Sequence, residues 1–473
     1  MNGKTPRPPR LGRVVAASLV GTTVEWYDYF LYGSAAALVF GKVFFPDSDP
    51  LTGTLLSFLT YAIGFVARPI GALVFGHFGD RVGRKKLLVT SLLMMGGATV
   101  LIGCVPSYHS IGVAAPVLLT LLRLIQGFAL GGEWGGAVLL VSEHGSPRHR
   151  GFWASWPQGG APAGNLLAVG VLALLTGTTS SHAFETWGWR LAFLASGVLV
   201  LVGMWVRLSV DESPLFKEAL ARAEERRSEA GDERPPVVDV VRTHWRDILV
   251  AIGARIAENI SYYILTAFIL AYCVGHLKLR EQTALNAVLI GSAVQFCLIP
   301  LFGALSDRIG RRPVYLVGAV GTGIWVWAFF ALADTKSFPA LTLAVVIGLV
   351  FHSAMYAPQA AFFSELFATR VRYSGASIGA QLSSVVAGAS APLIATALLG
   401  AYHGSGPIAL YVTAAAVVTV VAVLLARETR GRDLATVGDD ETNGDGSAGT
   451  PSPTVVDAKD AAAPVGGRNA PTA

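Results

Sequence analysis

Charged side chains are scarce in this chain of 473 residues. They make up 14% of it, whereas about 25% is usual in soluble proteins, and 53% of the residues are hydrophobic. There are only three cysteines, all in or beside apolar stretches and without metal-binding spacing. This argues against a disulfide framework and against a thiolate metal site. We therefore expect an integral membrane protein that uses no metal and no cofactor.

Twelve apolar segments are long enough to cross a bilayer, which takes about 20 residues per helix. They are too long and too continuously apolar to be the short alternating strands of a membrane barrel. The sequence thus predicts an all-α membrane protein with twelve transmembrane helices. The expected spans are 13–40, 54–77, 87–106, 114–142, 152–177, 187–209, 247–275, 283–306, 313–333, 339–364, 373–400 and 405–427.

A duplicated motif divides these segments into two sets of six. GHFGDRVGRKK at 76–86 recurs in degenerate form as GALSDRIGRRP at 303–313, each time in a short basic loop between apolar segments. Two similar membrane halves around a shared polar centre are the layout of a transporter. The expected organisation is an N-terminal tail 1–12, a first half 13–209, a central loop 210–246, a second half 247–427 and a disordered tail 428–473.

Lysine and arginine lie mostly on one side of the expected membrane. The loops on the side of the N-terminus hold 26 of the 36 basic residues, and the opposite loops hold five. By the positive-inside rule, this distribution places both termini of a multi-pass plasma (inner) membrane protein in the cytoplasm. The net charge of +5 therefore needs no nucleic-acid partner to explain it.

Three segments carry a resemblance to a known family. VEWYDYFLYG at 24–33, ARPIGALVFGHFGDRVGRKK at 67–86 and RLIQGFALGGEWGGA at 123–137 are similar to the metabolite:proton symporter family of the major facilitator superfamily. That family includes proline/betaine, α-ketoglutarate, citrate and shikimate transporters. The resemblance spans residues 13–427. It implies the major facilitator fold, alternating access, a small carboxylate or zwitterionic solute and a functional monomer.

The resemblance also gives the duplicated loops a gating role, in which the aspartates tie helix ends together by charge-assisted contacts. Plain positive-inside topology accounts for the basic residues, but not for an aspartate before an arginine in both copies. Further acid–base partners are expected at Glu143 with Arg148 and at Glu365 with Arg370. The expected gate residues of the motifs are Gly76, Asp80, Arg81, Gly83, Arg84 and Lys85 in the first copy and Asp307, Arg308, Gly310 and Arg311 in the second.

Seven charged residues lie inside the apolar segments, where each costs about 2.5–3.5 kcal/mol on insertion scales. Three are arginines and four are carboxylates, so one carboxylate is left over if every arginine pairs with one. A desolvated, unpaired carboxyl group can hold a proton at physiological pH, which is what proton-coupled transport needs. The seven residues are Glu25, Asp28, Arg68, Arg123, Glu133, Arg255 and Glu258.

Asp28 is our first choice for the proton carrier. It shares a helix face with Glu25, Tyr29 and Tyr32, and two neighbouring carboxylates resist ionising together. When the two halves are aligned, Ser261 stands where Asp28 would be, so Asp28 has no counterpart in the second half. The alternative is a structural role as the partner of Arg68 or Arg123.

Helix 4 contributes a second set of candidates for proton coupling. Arg123 and Gln126 resemble a helix 4 motif of the superfamily whose arginine is implicated in proton transfer. Glu133 lies two turns beyond Gln126 on nearly the same face. A stripe of small residues on this helix is most often a site of close helix packing, and we assign it that role. The stripe consists of Gly127, Gly131 and Gly135.

The remaining polar residues are candidates for solute binding. Arg68 either neutralises an acidic residue of helix 1 or binds a substrate carboxylate through two guanidinium nitrogens, and both readings stay open. Arg255 and Glu258 are spaced to pair within helix 7. The other candidates either line the cavity or only join helices to one another. They are Tyr29, Tyr32, Gln126, Asn165, Asn259, Gln359, Gln295, Gln381, Trp26, Tyr262, Tyr263 and Tyr356.

These observations together predict a proton-coupled symporter that imports a small organic solute. One alternative is a drug or metabolite:proton antiporter, but SWPQGGAPAGN at 155–165 does not match the antiporter motif of helix 5 well. Another is a non-transporting membrane sensor, which would need a folded cytoplasmic domain that neither 210–246 nor 428–473 provides. An enzyme is not expected, since no nucleophile, base and orienting group occur at recognisable spacing.

Overall fold

The computed structural model describes residues 11–82, 84–131, 147–209, 244–367 and 372–431. Regular secondary structure within these ranges is helical throughout. The predicted central loop up to residue 243, the tail from residue 432 and the residues Glu133, Glu143 and Arg370 lie outside them.

Six long helices precede the central loop. Two of them include a π turn, a single wider turn of helix. Their bounds are α1 Leu11–Ala35, extended by a π turn Ala36–Phe40 and by Gly41–Phe44; α2 Pro50–Val82; α3 Arg84–Cys104; α4 Ala114–Gly131; α5 Arg150–Gln158 with Gly160–Thr178; and α6 Trp189–Ser209, preceded by Ser181–Ala183 and a π turn Phe184–Gly188.

Six more helices follow the central loop. Their bounds are α7 Trp245–Tyr263, extended by Ile264–Phe268, Ile269–Ala271 and Tyr272–His276; α8 Glu281–Ile309; α9 Arg311–Asp334; α10 Phe338–Leu366; α11 Arg372–Ser383, continued by Ser384–Gly388 and Ser390–Tyr402; and α12 Gly406–Leu425.

The apolar length of the segments accounts for these helices. Ten of the described helices are long and apolar enough to cross a bilayer, and a further apolar stretch, Val89–Cys104, is shorter. The predicted spans agree with the observed helices to within a few residues, except that the span predicted at 114–142 continues beyond the described residues. Many large apolar side chains point outward, as in Ile324 and Trp205, both 70% exposed, which suits a lipid environment.

The helices form two six-helix halves that meet along a shared interface. In the first half, α1 packs on α5 and α6, α2 on α4, and α3 on α6; in the second, α7 packs on α12 and α11, while α10 packs on α8 and α9. Helix α5 lies against α8 and α10 of the other half, and α2 lies against α11. This is the major facilitator fold with twelve transmembrane helices that the sequence predicts.

Glycines bring α2 and α4 into backbone contact. A Cβ atom at Gly127 would lie 1.9 Å from the carbonyl oxygen of Gly64, and one at Gly131 would lie 2.0 Å from that of Arg68. On the facing helix, a Cβ at Gly71 would lie 1.9 Å from the carbonyl oxygen of Phe128. The predicted packing role is therefore confirmed for Gly127 and Gly131, and the contact holds Arg68 at a defined place on α2.

Candidate functional site

Arg68 lies at the centre of the first half, enclosed by aromatic rings. Its guanidinium carbon lies 4.3 Å from the centre of the Tyr29 ring and 4.5 Å from that of Phe65, with the Trp26 ring 6.0 Å away. The side chain is buried, and its Nε and Nη2 have no hydrogen-bond partner among the described residues. Ring faces attract a cation but leave its N–H donors unsatisfied, so this arginine retains capacity for an anion.

Arg123 of α4 occupies a second aromatic pocket. Its guanidinium carbon lies 4.5, 4.3 and 4.7 Å from the ring centres of Tyr29, Tyr32 and Tyr61. Its Nη1 donates to Gln126 Oε1 at 2.6 Å, and the Gln126 amide donates in turn to the Thr99 hydroxyl of α3 at 2.7 Å. Arg123 and Gln126 thus form one hydrogen-bonded unit, as their spacing on one helix allows.

Asp28 is fully buried on α1 and points towards α6. The hydroxyl group of Ser196 donates to its Oδ1, and its Oδ2 has no hydrogen-bond partner among the described residues. The described residues show no ion pair between Asp28 and an arginine. Glu25, the neighbouring carboxylate of α1, is also buried.

Arg255 and Glu258 of α7 form the predicted pair within one helix, with Arg255 Nη2 lying 3.7 Å from Glu258 Oε2. Gln359 of α10 bridges the two, since its Oε1 accepts from Arg255 at 2.9 Å and its Nε2 donates to Glu258 at 3.3 Å. The same amide reaches the Tyr315 hydroxyl of α9 at 3.1 Å, and Asn259 donates to Glu258 at 3.2 Å. A buried ion pair needs such additional hydrogen bonds to offset the loss of hydration.

His352 completes this polar network, and sequence reasoning missed it. Its Nε2 lies 3.4 Å from Glu258 Oε1, and its Nδ1 lies 2.7 Å from Gln295 Nε2 of α8. The histidines are scattered along the chain without the spacing of metal ligands, so the sequence analysis did not select His352. One sequence signal could have found it, because His352 lies within the apolar helix Phe338–Leu366. An ionisable side chain inside a membrane-spanning helix is costly and therefore indicates a functional site.

A small central cavity lies where the two halves meet. Its volume of about 20 Å³ has room for about one water molecule. Predicted candidates from the second half dominate its wall, whereas Arg68, Arg123 and Asp28 lie behind the aromatic residues of the first half. The lining residues are Trp26, Phe30, Ala161, Arg255, Glu258, Asn259, Tyr262, Tyr263, His352 and Tyr356. A solute of the expected size needs these side chains to move apart.

Two other predicted polar residues join the halves and do not line the cavity. Asn165 of α5 donates to the Ser292 hydroxyl of α8 at 2.9 Å. The Gln381 amide of α11 lies 3.5 Å from the carbonyl oxygen of Gly131 of α4. Both contacts support the interhelical role that we had set beside a ligand role.

The second copy of the loop motif bridges the two halves at the end of the bundle that carries the basic loops, here called the basic end. Asp307 accepts hydrogen bonds from the backbone N–H groups of Gly151 and Phe152, at 2.8 and 2.9 Å, at the start of α5. Asp307 also pairs with Arg311 at 2.7 Å. A carboxylate at a helix N-terminus is favoured by the unpaired N–H groups and by the helix dipole.

Glu365 is the second bridge at the basic end. It is fully buried, and its oxygens accept from Arg150 Nη1 of α5 at 2.9 Å, from Arg311 at 3.2 Å and from the Thr429 hydroxyl at 2.8 Å. Arg150 makes this contact, whereas Arg148, two residues earlier, is exposed. The expected pairs of Arg148 with Glu143 and of Glu365 with Arg370 each include a residue outside the described ranges, so both stay predictions.

Within the second half, Asp307 joins the end of α8 to the start of α9 through Arg311. Asp307 and Glu365 also reach across to α5, because that helix begins directly opposite α8. Arg308 of the motif is exposed. Gly310 has a φ of +107°, and a Cβ there would lie 2.8 Å from the Glu428 carboxylate, which caps the first N–H groups of α9. Glycine suits both the φ value and the contact.

The side chains of the first copy lie outside the described residues. This applies to the predicted gate residues Gly76, Asp80, Arg81, Gly83, Arg84 and Lys85, and their role stays a prediction.

The halves also touch at the end of the bundle away from the basic loops. Thr176 of α5 donates to Gln282 of α8 at 2.7 Å. A Cβ at Gly400 of α11 would lie 2.5 Å from the Leu51 side chain of α2, so these two helices are in close contact there. With both ends bridged, the described residues form an occluded arrangement around the small central cavity.

Comparison with known proteins agrees with this architecture. Residues 14–440 match the family described as sugar (and other) transporter. The chain is 39% identical over 423 residues to the shikimate transporter of Escherichia coli (strain K12), covering 89% of this chain and 95% of the relative. It is 40% identical over 432 residues to an inner membrane metabolite transport protein of the same strain, with coverage of 89% and 95%.

A solved structure of the major facilitator superfamily proton:xylose symporter XylE, bound to 6-bromo-6-deoxy-D-glucose, is similar in fold. Its TM-score is 0.70 at 16% identity, covering 91% of this chain and 98% of that one. The family match and these relatives define a multi-pass membrane protein that is a secondary transporter of the major facilitator type and not an enzyme. The chain belongs to the sugar (and other) transporter family, which confirms the resemblance seen in its sequence.

Proposed function

We propose that the protein is a proton-coupled symporter that imports a small carboxylate or zwitterionic solute by alternating access. The observation that carries the proposal is the pair of buried, incompletely satisfied groups in the first half. Arg68 has free guanidinium donors beside the cavity aromatics, and Asp28 has a free carboxyl oxygen. Buried polar groups without partners are costly, so their presence calls for a function.

Asp28 serves as the proton carrier in this proposal, with Glu25, Arg123 and Glu133 as further coupling residues. Its surroundings contain a hydroxyl group and no paired arginine among the described residues, which supports protonation over a structural ion pair. Arg68 and the cavity residues Arg255, Glu258 and Asn259 would hold the solute, together with Tyr29, Tyr32, Gln126 and Gln359.

The proposal includes the setting in which the protein works. We infer a monomer in the inner membrane with both termini in the cytoplasm, so that the basic end faces inward. The distribution of 26 basic residues against five supports this orientation. The bridges made by Asp307 and Glu365 would then be the cytoplasmic gate, closed when the cavity opens outward.

The test is solute uptake into proteoliposomes under an imposed inward proton gradient. Labelled shikimate, α-ketoglutarate, citrate, proline and glycine betaine are compared. We expect gradient-driven accumulation of one class of solute, and we expect Asp28→Asn to reduce it at least tenfold, because an amide cannot take up and release the coupled proton.

Asp334→Asn is the matched control, since Asp334 lies at the end of α9 and accepts from Tyr272 and Ser405. It should leave uptake close to that of the wild type. If the rate of uptake is the same with and without the proton gradient, and the same in the wild type and in Asp28→Asn, proton coupling is contradicted and facilitated diffusion is indicated. Accumulation driven by an outward gradient would indicate an antiporter.

A further inference from the structure

Ser196 is the only hydroxyl-bearing residue in the apolar stretch 191–206 of α6. It is fully buried, and its hydroxyl group donates to Asp28 Oδ1 of α1. A buried serine in a helix often donates instead to the carbonyl oxygen four residues earlier in its own helix. Ser57 of α2 does so with the carbonyl oxygen of Gly53 at 2.7 Å. Ser196 departs from this pattern, so its surroundings must direct its hydroxyl group towards α1.

Tyr27 of α1 explains the direction of the Ser196 hydroxyl group. Its own hydroxyl group donates at 2.8 Å to the carbonyl oxygen of Ala192, which lies four residues before Ser196. Within the helix Trp189–Ser209, the same oxygen also accepts the backbone N–H of Ser196, so both of its lone pairs are used. The acceptor that Ser196 would find in its own helix is therefore occupied, and the serine donates to Asp28, the neighbour of Tyr27.

The position of α1 is also fixed from the side opposite α6. A Cβ atom at Gly164 of α5 would lie 2.7 Å from the backbone nitrogen of Tyr27, so the backbones of α5 and α1 touch at this level. Tyr27 and Ser196 are each no more than 1% exposed. The two hydrogen bonds between α1 and α6 are thus enclosed in packed protein, and one can change only if the other is disturbed.

Thr99 of α3 lies near Asp28 as well, but its single O–H proton is engaged elsewhere. The Thr99 hydroxyl group donates to the carbonyl oxygen of Met95 at 2.9 Å, and its oxygen accepts from the Gln126 amide at 2.7 Å. Ser196 is therefore the hydroxyl donor to the Asp28 carboxyl group.

Few charges surround Asp28. Glu25, Tyr27 and Tyr32 share its helix, Arg123 lies on α4, and α2 contributes Arg68 and Tyr61, which lie against the ring of Tyr29. The other neighbouring helices add no ionisable residue at this depth, as the sequence of three stretches shows: 87–103 of α3, 160–178 of α5 and 191–206 of α6. In a buried place with few charges, a single hydroxyl donor has a large effect on a carboxyl group.

We propose that Tyr27 and Ser196 are positioning residues for proton exchange at Asp28. Tyr27 occupies the carbonyl oxygen of Ala192, and the Ser196 hydroxyl group, directed to Asp28, sets the pH at which Asp28 releases its proton. A hydrogen bond to a carboxylate is stronger than one to the neutral acid, so Ser196 favours release. The inference rests on the proposed function, in which Asp28 carries the proton, and adds the residues that tune it.

Infrared difference spectroscopy of the full-length protein in lipid vesicles tests this inference without any solute. The signal is the carbonyl stretch of a protonated carboxyl group, followed between about pH 4 and 10, and Asp28→Asn identifies the part that belongs to Asp28. We expect Ser196→Ala to raise the pH midpoint of that band by about one unit, because the carboxylate loses its donor. Tyr27→Phe should raise the midpoint less, because the Ser196 hydroxyl group can then also turn to Ala192.

The double variant Tyr27→Phe/Ser196→Ala separates this role from a general structural effect. Because Tyr27 acts through Ser196, the double variant should shift the midpoint no further than Ser196→Ala does, whereas independent effects would add. Ser57→Ala is the matched control, since Ser57 is fully buried too but donates within its own helix, and it should keep the midpoint of the wild type. Each of these substitutions removes one oxygen atom and adds no bulk, so the fold should be retained.

The outcomes separate this inference from the proposed function. An unchanged or lowered midpoint in Ser196→Ala, or shifts that add in the double variant, would overturn the inference. The proposed function would still stand in that case, provided that gradient-driven uptake depends on Asp28. A wild-type protein without a titrating band that Asp28→Asn removes would overturn the inference and count against Asp28 as the proton carrier.

Discussion

Replacing Gly127 with valine is expected to remove most of the folded protein. The first added carbon would lie 1.9 Å from the carbonyl oxygen of Gly64, which is backbone and cannot rotate away. Inserting atoms into a packed site costs about 1–3 kcal/mol and sometimes more. Here we expect a cost at the high end of this range. The helices α2 and α4 are in contact at Gly64, Gly71, Gly127 and Gly131, so a larger residue at one of these positions must push the two whole helices apart.

Fluorescence-detected size-exclusion chromatography and thermal unfolding measure this effect. We expect Gly127→Val to lose the monodisperse peak or to unfold at a much lower temperature. Gly97→Val is the matched control, since a Cβ at Gly97 of α3 meets no atom within 4 Å and should be tolerated. Equal yields and equal unfolding temperatures for the two variants would show that α2 and α4 are further apart than described.

The second large effect concerns the balance between conformations. Arg150→Gln is expected to open the basic end, because Arg150 is the side chain of α5 that pairs with Glu365 across the two halves at 2.9 Å. Arg311 and Thr429 still hold Glu365, so the second half stays intact. A charge-assisted hydrogen bond contributes about 1.5–3 kcal/mol, which corresponds to a population shift of about 10- to 100-fold.

Alkylation of an engineered cysteine reports this opening. Ser155 of α5 is fully buried against Gly303 of α8, so Ser155→Cys, in a background without Cys104, Cys273 and Cys297, should react only when the basic end opens. Arg150→Gln should raise the rate of alkylation about 10- to 100-fold.

Arg148→Gln is the matched control for this prediction, as Arg148 is exposed two residues away, and exposed charges contribute little. An unchanged alkylation rate in Arg150→Gln, or an equal increase in both variants, would mean that the Arg150–Glu365 pair does not hold the two halves together.

Several properties of the buried centre followed from residue types alone. An arginine or a carboxylate inside an apolar segment is costly, so Asp28, Arg68, Arg123, Arg255 and Glu258 could be singled out without coordinates. The pairing of Arg255 with Glu258 followed from their spacing of three residues on one helix.

Contacts between helices were harder to predict. From the numbers of buried arginines and carboxylates, we expected each arginine to pair with a carboxylate. In the structure, Arg68 and Arg123 lie against the aromatic rings of Tyr29, Phe65 and Tyr61. Those rings come from α1 and α2, and helical spacing says nothing about which faces of separate helices meet. For the same reason the contact of Arg150 with Glu365 was not predicted, because the sequence does not show that α5 begins beside α10.

The sequence by itself determined the membrane class, the twelve helices, the two halves, the family and the set of buried charges. These depend on hydrophobic length, on repetition and on the energetic cost of charge in an apolar medium, all of which act locally. Only the tertiary structure decided that Asp307 and Glu365 bridge the halves and that His352 joins Glu258 and Gln295 at the cavity. These contacts join residues from different helices, and their partners depend on how each helix is rotated and displaced when the bundle packs.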